Sequence, residues 1–189
     1  MKTHSIYIVL SQTGTYPSRL IRFYTREPYA HASIALDPEL KEMYSFARRG
    51  LYNPLNAGFV EEHIDSGVFG RCKNTRCSVF ELKINDEQYT RLRKQIDLFK
   101  ENRELCSYNF LGIFGVIFHI PVDREFTYFC SQFVAELLKR SHVRILNKNS
   151  ALVRPMDFRT NPYLTRIYTG PLSLYRATIS HGQTELQAG

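Results

Sequence analysis

The chain has no apolar run long enough to cross a bilayer. Its most hydrophobic stretch, FLGIFGVIFHIPV from Phe110 to Val122, covers 13 residues, against the ~20 a membrane helix needs. That predicts a segment lying inside the fold, with an interfacial role as the alternative. The opening MKTHSIYIVLSQTG holds only about six apolar residues before polar ones return, so it reads as a first strand rather than a secretory signal. Internal repeats, low-complexity tracts and linkers rich in Gly, Pro or Ser are all missing, which excludes a solenoid or a string of modules. A chain of 189 residues suits one domain with a proper core and is too short for two comfortable ones. The expected organisation is a single domain over 1–179, with a flexible tail, SHGQTELQAG, over 180–189.

Cysteine is scarce as well. Four cysteines without a signal point to a reducing, cytoplasmic setting in which thiols rather than disulfides are expected. Acidic residues are outnumbered, 18 against 25 basic ones, giving a net charge of +7. The cations do not form a tract, however. Arg19, Arg22, Arg26, Arg48, Arg49, Arg71, Lys73 and Arg76 are scattered over several elements, and no nucleic-acid motif accompanies them, so no nucleic-acid partner is expected. A solvated basic surface is the default reading; an anionic substrate or a membrane surface is the weaker one. With 43% hydrophobic and 23% charged residues, the chain is not wholly disordered.

What is present is strand and helix punctuation. SIYIVL (5–10), HASIAL (31–36), EMYSFAR (42–48), GFVEEHI (58–64) and CSVFELKI (77–84) read as strands. YPSRLIRFYT (16–25) suits a short helix with Pro17 in its first turn. Asn85 followed by Gln88 resembles a capping box, opening a helix with Tyr89, Leu92, Ile96 and Phe99 on one face. Another helical stretch is expected from about Tyr108, and PYLTRIYTGPLSLYR returns to strand chemistry. Strands first, helices in the middle and a strand again argue for an α+β domain: a mostly antiparallel sheet with helices packed on one face.

The chemistry concentrates in FTYFCSQFVAELL. Cys130, Phe133, Val134, Leu137 and Leu138 fall at i, i+3, i+4, i+7 and i+8, the stripe of a helix packed on a core. A cysteine opening such a helix is either a small buried hydrophobe or a nucleophile whose thiolate the helix start favours. A nucleophile needs a base, and six histidines are available. His4 and His181 lie near the termini. His142 is about three turns along from Cys130 and out of reach. His119 sits in the apolar run as a buried, hydrogen-bonded core residue, and His63 in the acidic, exposed EEHID. His31 opens the strand HASIAL at the sheet rim, with small Ser33 and Ala35 on its own face to let a helix approach. A Cys130/His31 pair and unrelated core roles are both open on this ground.

HASIAL, the following MYSFARR, the later FCSQFVAELL and the tail RPMDFRTNPYLTRIYTG together resemble the circularly permuted branch of the NlpC-type, papain-like cysteine peptidases and amidases. The lecithin retinol acyltransferase group shares that arrangement, with the histidine strand before the cysteine helix. The resemblance covers roughly 5–176 and implies a papain-like fold in which Cys130 is the nucleophile and His31 its base. It implies a thioester intermediate, an oxyanion held by N–H groups at the helix start, and no cofactor. The family's third residue is a polar His, Glu, Gln or Asn on the next strand. Here that strand offers Ser45, which is the candidate, an ordinary strand serine being the alternative. Tyr108 resembles a tyrosine near the cysteine in relatives, the other reading being a core aromatic. Ser131 and the loop residue Gln12 are the remaining oxyanion or substrate-side candidates.

Cys72 and Cys77 bracket KNTR at a spacing within zinc range. Only His63 and Cys106 could complete such a site, and a tight β-hairpin is the simpler account, so no metal is expected. The expected activity is hydrolysis of an amide or peptide bond in a small-molecule or peptide substrate, cell-wall-derived peptides included. The alternatives are an acyltransferase or thioesterase acting on lipid-like substrates, and a catalytically silent binding module of the same fold. The loops ARRGLYNPLNAG, RCKNTRC and IPVDREF carry no binding code that names the substrate.

Overall fold

A computed structural model describes residues 2–13, 28–50 and 56–179. The helix expected over 16–25 and the tail expected over 180–189 lie outside these residues. In chain order the elements are β1 (Thr3–Gln12), β2 (His31–Ala35), β3 (Met43–Arg48), β4 (Ala57–Glu62), α1 (Gly67–Arg71), β5 (Arg76–Asn85) and α2 (Asp86–Glu101). They continue with β6 (Ser107–Tyr108), α3 (Phe110–Phe118), β7 (Thr127–Tyr128), α4 (Cys130–Arg140), α5 (Pro155–Arg159) and β8 (Thr165–Pro171). This is an α+β fold built on a six-stranded antiparallel sheet in the order β4-β3-β2-β1-β5-β8.

β1 is central, and its run of apolar residues is buried on both faces. Ile6, Ile8 and Leu10 enter one core, Tyr7 and Val9 the other. A strand covered on both sides has no polar face to show, which is why SIYIVL does not alternate. The larger core lies between the sheet and helices α2 and α4. There Phe46, Phe59, Phe99 and Phe133 meet with ring centroids 5.0 to 6.1 Å apart, largely edge to face, the geometry aromatic quadrupoles favour. Leu92, Ile96 and Phe99 of α2 are buried as the periodicity requires. The capping box is present: Asn85 Oδ1 accepts from the Gln88 N–H at 2.9 Å, and Gln88 Oε1 from the Asn85 N–H at 3.1 Å. Acidic Asp86 and Glu87 at the start of α2 and Lys100 at its end complement the helix dipole.

Several expectations need correction. Helices do not keep to one face: Phe69 of α1 joins Leu172 and Tyr175 in the second core on the opposite side. The helix expected from about Tyr108 is present as α3, beginning at Phe110; Tyr108 itself belongs to the two-residue parallel ladder β6–β7, in which it pairs with Tyr128. The segment 110–122 does not lie inside the fold. Phe110, Leu111, Phe118 and Ile120 are 40%, 59%, 69% and 60% exposed, so these apolar side chains of the segment face solvent. His119 is likewise exposed, ending α3 with a left-handed backbone (φ 58°) instead of filling the core. Cys72 and Cys77 do not flank a hairpin turn: Cys72 caps α1 and Cys77 is buried in β5. Among the described residues no helix is long and apolar enough to cross a membrane.

One irregularity positions everything that follows. β1 and β2 pair from Tyr7↔Ala35 to Ser11↔His31, and β3 and β4 from Met43↔Glu62 to Arg48↔Ala57. Between them, β2 and β3 pair only at Ile34↔Tyr44 and Ala35↔Met43. Towards His31 these two strands, β2 and β3, part. Gly58 serves the neighbouring contact, since a Cβ there would strike the Cys106 carbonyl. Glycine thus lets β4 approach the segment that leads into β6.

Candidate active site

α4 begins at Cys130, with extended Phe129 as its N-cap. Its first turn has no acidic residue, so the N–H groups and positive dipole end are left for another negative charge. Gln132 closes part of the cap, its Oε1 accepting from the Phe129 N–H at 3.4 Å. The same oxygen accepts from Asn109 Nδ2 at 3.1 Å, and Gln132 Nε2 donates to Asp123 at 3.0 Å. Asn109 Oδ1 in turn caps α3 through the Gly112 N–H at 2.8 Å. Gln132 and Asn109 are buried, and a buried polar network with every member partnered holds its geometry firmly. The start of α4 is thereby tied to α3 and the 122–123 segment.

The Cys130 side enters where β2 and β3 part. Its thiol lies 3.9 Å from the Ala30 carbonyl oxygen, and Cys130 is only 5% exposed. Burial opposes ionisation of the thiol. The hydrogen bond and charge of His31 and the backbone N–H groups of Ala32 and Ser131 outweigh it and hold the pKa below the ordinary value. These are the opposite-charge and hydrogen-bond effects that favour a thiolate. Two other buried thiols behave differently: burial pushes Cys77 up to about 12 and Cys106 to about 11.

His31 is fixed from its far side. Nε2 lies 3.0 Å from Glu62 Oε1, and Ser33 Oγ donates to Glu62 Oε2 at 2.5 Å. Nε2–H then serves the carboxylate and Nδ1 is the nitrogen left for the thiol. Burial disfavours the imidazolium, but the Glu62 charge and the bonds to Cys130 and Glu62 prevail, raising His31 to about 10. Glu62 moves the other way. Burial would raise its pKa, yet the charge and hydrogen bond of His31 and the hydroxyls of Ser33 and Ser45 keep it low. Each of the three groups is shifted toward its charged form by its neighbour.

Ser45, expected to orient His31, is not bonded to it. Its Oγ is buried beside Glu62, and the Glu62 carboxylate occupies the orienting position. Glu62 was missed because EEHID read as an exposed acidic stretch. Glu61, His63 and Asp65 follow that reading, while Glu62 turns inward, its side chain 11% exposed. The available signal was strand alternation, which puts Glu62 on the face of buried Val60.

The remaining candidates divide. Tyr108 meets Cys130: burial, the Cys130 charge and a hydrogen bond to it keep the phenol protonated, and the Cys130 N–H donates to the phenol oxygen. The pairing of β6 with β7 puts it there, opposite Tyr128, which lies two residues before Cys130. Ser131 contributes its backbone N–H to the sulfur, whereas its hydroxyl donates to the Val153 carbonyl at 2.7 Å and anchors the helix. Gln12 ends β1 beside Ser11, the partner of His31, and its Oε1 is buried and unpartnered. Among the described residues no cluster of His, Cys, Asp and Glu is arranged to hold a metal. No protein-family model, curated protein or solved structure matches the chain, so the family resemblance rests on the motifs themselves.

Proposed function

We propose that the chain is a cysteine hydrolase of the circularly permuted, papain-like NlpC type, cleaving an amide or peptide bond through a thioester. The observation that carries this reading is the cluster Cys130–His31–Glu62, a thiol at a helix start whose ionisation the neighbouring imidazole favours, with that imidazole bound in turn to a buried carboxylate. The Cys130 thiolate attacks the carbonyl carbon, and the electron pair moves onto the carbonyl oxygen. N–H groups at the start of α4 receive that oxyanion. As the tetrahedral species collapses, His31 gives its proton to the departing amine. Water, deprotonated by the now neutral His31, attacks the thioester and releases the acid, and the thiolate–imidazolium pair returns. Glu62 stays ionised throughout and stabilises the imidazolium. The silent-module reading loses its motive, since an orienting carboxylate sits beside His31.

The pH dependence of alkylation tests the proposal. Because the Cys130 pKa is depressed, thiolate is present above that value and lost as pH falls through it. Iodoacetamide should therefore modify Cys130 at a rate that has levelled off well below the ~8.5 of a free thiol. A rate still climbing through ~8.5, as for an ordinary thiol, sinks the proposal.

A second reading, an acyltransferase or thioesterase acting on lipid-like substrates with the same residues, is favoured by one feature. Phe110, whose ring lies 4.9 Å from that of Tyr108, heads the exposed apolar helix α3. Phosphatidylcholine vesicles should raise turnover of an acyl ester severalfold if this reading holds; indifference to vesicles counts against it.

A further inference from the structure

β3 sends alternate side chains to the face covered by α4. Tyr44 stacks with Phe59 at 5.9 Å, and Phe46 meets Phe133 at 5.0 Å and Tyr128 at 5.3 Å. The next residue on that face is Arg48, the last of β3. Tyr128 lies two residues before Cys130 and opposite Tyr108. The step from Phe46 to Arg48 therefore leads toward the start of α4, and the Arg48 charge is felt at the Tyr108 hydroxyl.

Arg48 differs from the other half-buried arginines among the described residues. Arg49 donates to the carbonyls of Arg103 and Cys106, Arg93 pairs with Glu42 and Arg176 with Asp65. Arg48, half-buried, has no carboxylate partner among the described residues. A guanidinium drawn partly out of water without a counter-charge is unfavourable unless something else supplies one. Glu62 already places a carboxylate charge behind His31, so an anion entering the site needs a further cation beside it.

We propose that Arg48 is a specificity residue that receives an anionic group, carboxylate or phosphate, of the substrate beside the scissile carbonyl. The inference rests on the Cys130/His31 reading and adds the charge of what that site accepts. A planar guanidinium binds either oxyanion through paired N–H bonds. Arg48 raises encounter with such a substrate and fixes its orientation before the thiolate attacks.

Two alkylating probes of nearly equal size and opposite merit test this: iodoacetate, which is anionic, and iodoacetamide, which is neutral. Both transfer a two-carbon group to the Cys130 sulfur with loss of iodide. The full-length protein is treated at a pH where the iodoacetamide rate is level, and modification of Cys130 is followed by peptide mass spectrometry. Arg48→Ala should lower the iodoacetate-to-iodoacetamide rate ratio about fivefold, the size of one screened charge–charge interaction. Arg48→Glu should lower it further, and Arg48→Lys should keep most of it. Added salt should slow iodoacetate more than iodoacetamide on the unmodified chain, a readout that stands even if a variant fails to fold. A ratio unchanged in Arg48→Ala overturns the proposal, as do both rates falling together, which would make Arg48 a modulator of the thiol. If neutral iodoacetamide does not modify Cys130 at all, the hydrolase reading falls first and takes this one with it.

Discussion

Cys130→Ala is expected to abolish hydrolysis, with a loss of about 10⁴-fold or more, as removal of a covalent nucleophile requires. Rapid labelling by iodoacetamide near neutral pH should disappear with it, modification of the part-exposed Cys72 being followed separately by peptide mass spectrometry. The contrast with the other buried thiols makes the result decisive. Cys77 and Cys106 are buried, with pKa values pushed up to about 12 and about 11, so little thiolate is present on either at pH 7. Alanine replaces a small buried side chain without disturbing the bond of Ser131 to Val153 or the Gln132–Asn109–Asp123 network. A melting temperature near that of the unmodified chain would assign the loss to chemistry rather than unfolding. Rapid labelling that survives in the variant would move the reactive role to another cysteine.

Glu62→Gln should cost roughly 10²- to 10⁴-fold in turnover, the range expected when the carboxylate behind a catalytic histidine is neutralised. Its signature is a narrowed pH profile. His31 has a folded pKa of about 10 because Glu62 and Cys130 overcome the effect of burial; without the carboxylate charge that value falls. The imidazolium is then lost at lower pH, and the thiol, deprived of its cation, ionises at higher pH. The acid limb moves up and the alkaline limb moves down. The same linkage bears on stability. The His31 contribution is complete below ~6.5 and disappears as pH rises through about 10. That of Glu62 is complete above its unfolded value of ~4.5 and is lost as pH falls through its depressed folded value. Glu62→Asp, which keeps the charge on a shorter arm, should fall between the two. A Glu62→Gln variant with an unchanged profile would leave His31 oriented by something else.

Much of the scaffold was legible because it depends on local pattern. Cys130, Phe133, Val134, Leu137 and Leu138 are all buried, as their spacing requires, and α4 begins at Cys130. The Asn85/Gln88 cap and the Leu92, Ile96 and Phe99 face of α2 were equally local. Glu62 was not, because its role depends on a side chain crossing from β4 to the residue that opens β2, with β3 between them. Ser45 lay on the expected strand and faces the right side, but its hydroxyl is too short to serve where a carboxylate reaches. The exposure of α3 escaped for another reason. Apolar periodicity reports what a helix would bury, and says nothing of whether a partner is there to cover it.

The parting of β2 and β3 has a consequence for how far this protein can be strengthened. An amide of Ala32 that might have bonded a neighbouring strand is instead a ligand of sulfur. Substitutions that zipped the two strands together up to His31 would add rungs to the ladder and evict the thiolate from its cradle. Robustness and reactivity draw on the same few backbone groups, so selection for heat resistance alone should favour inert descendants.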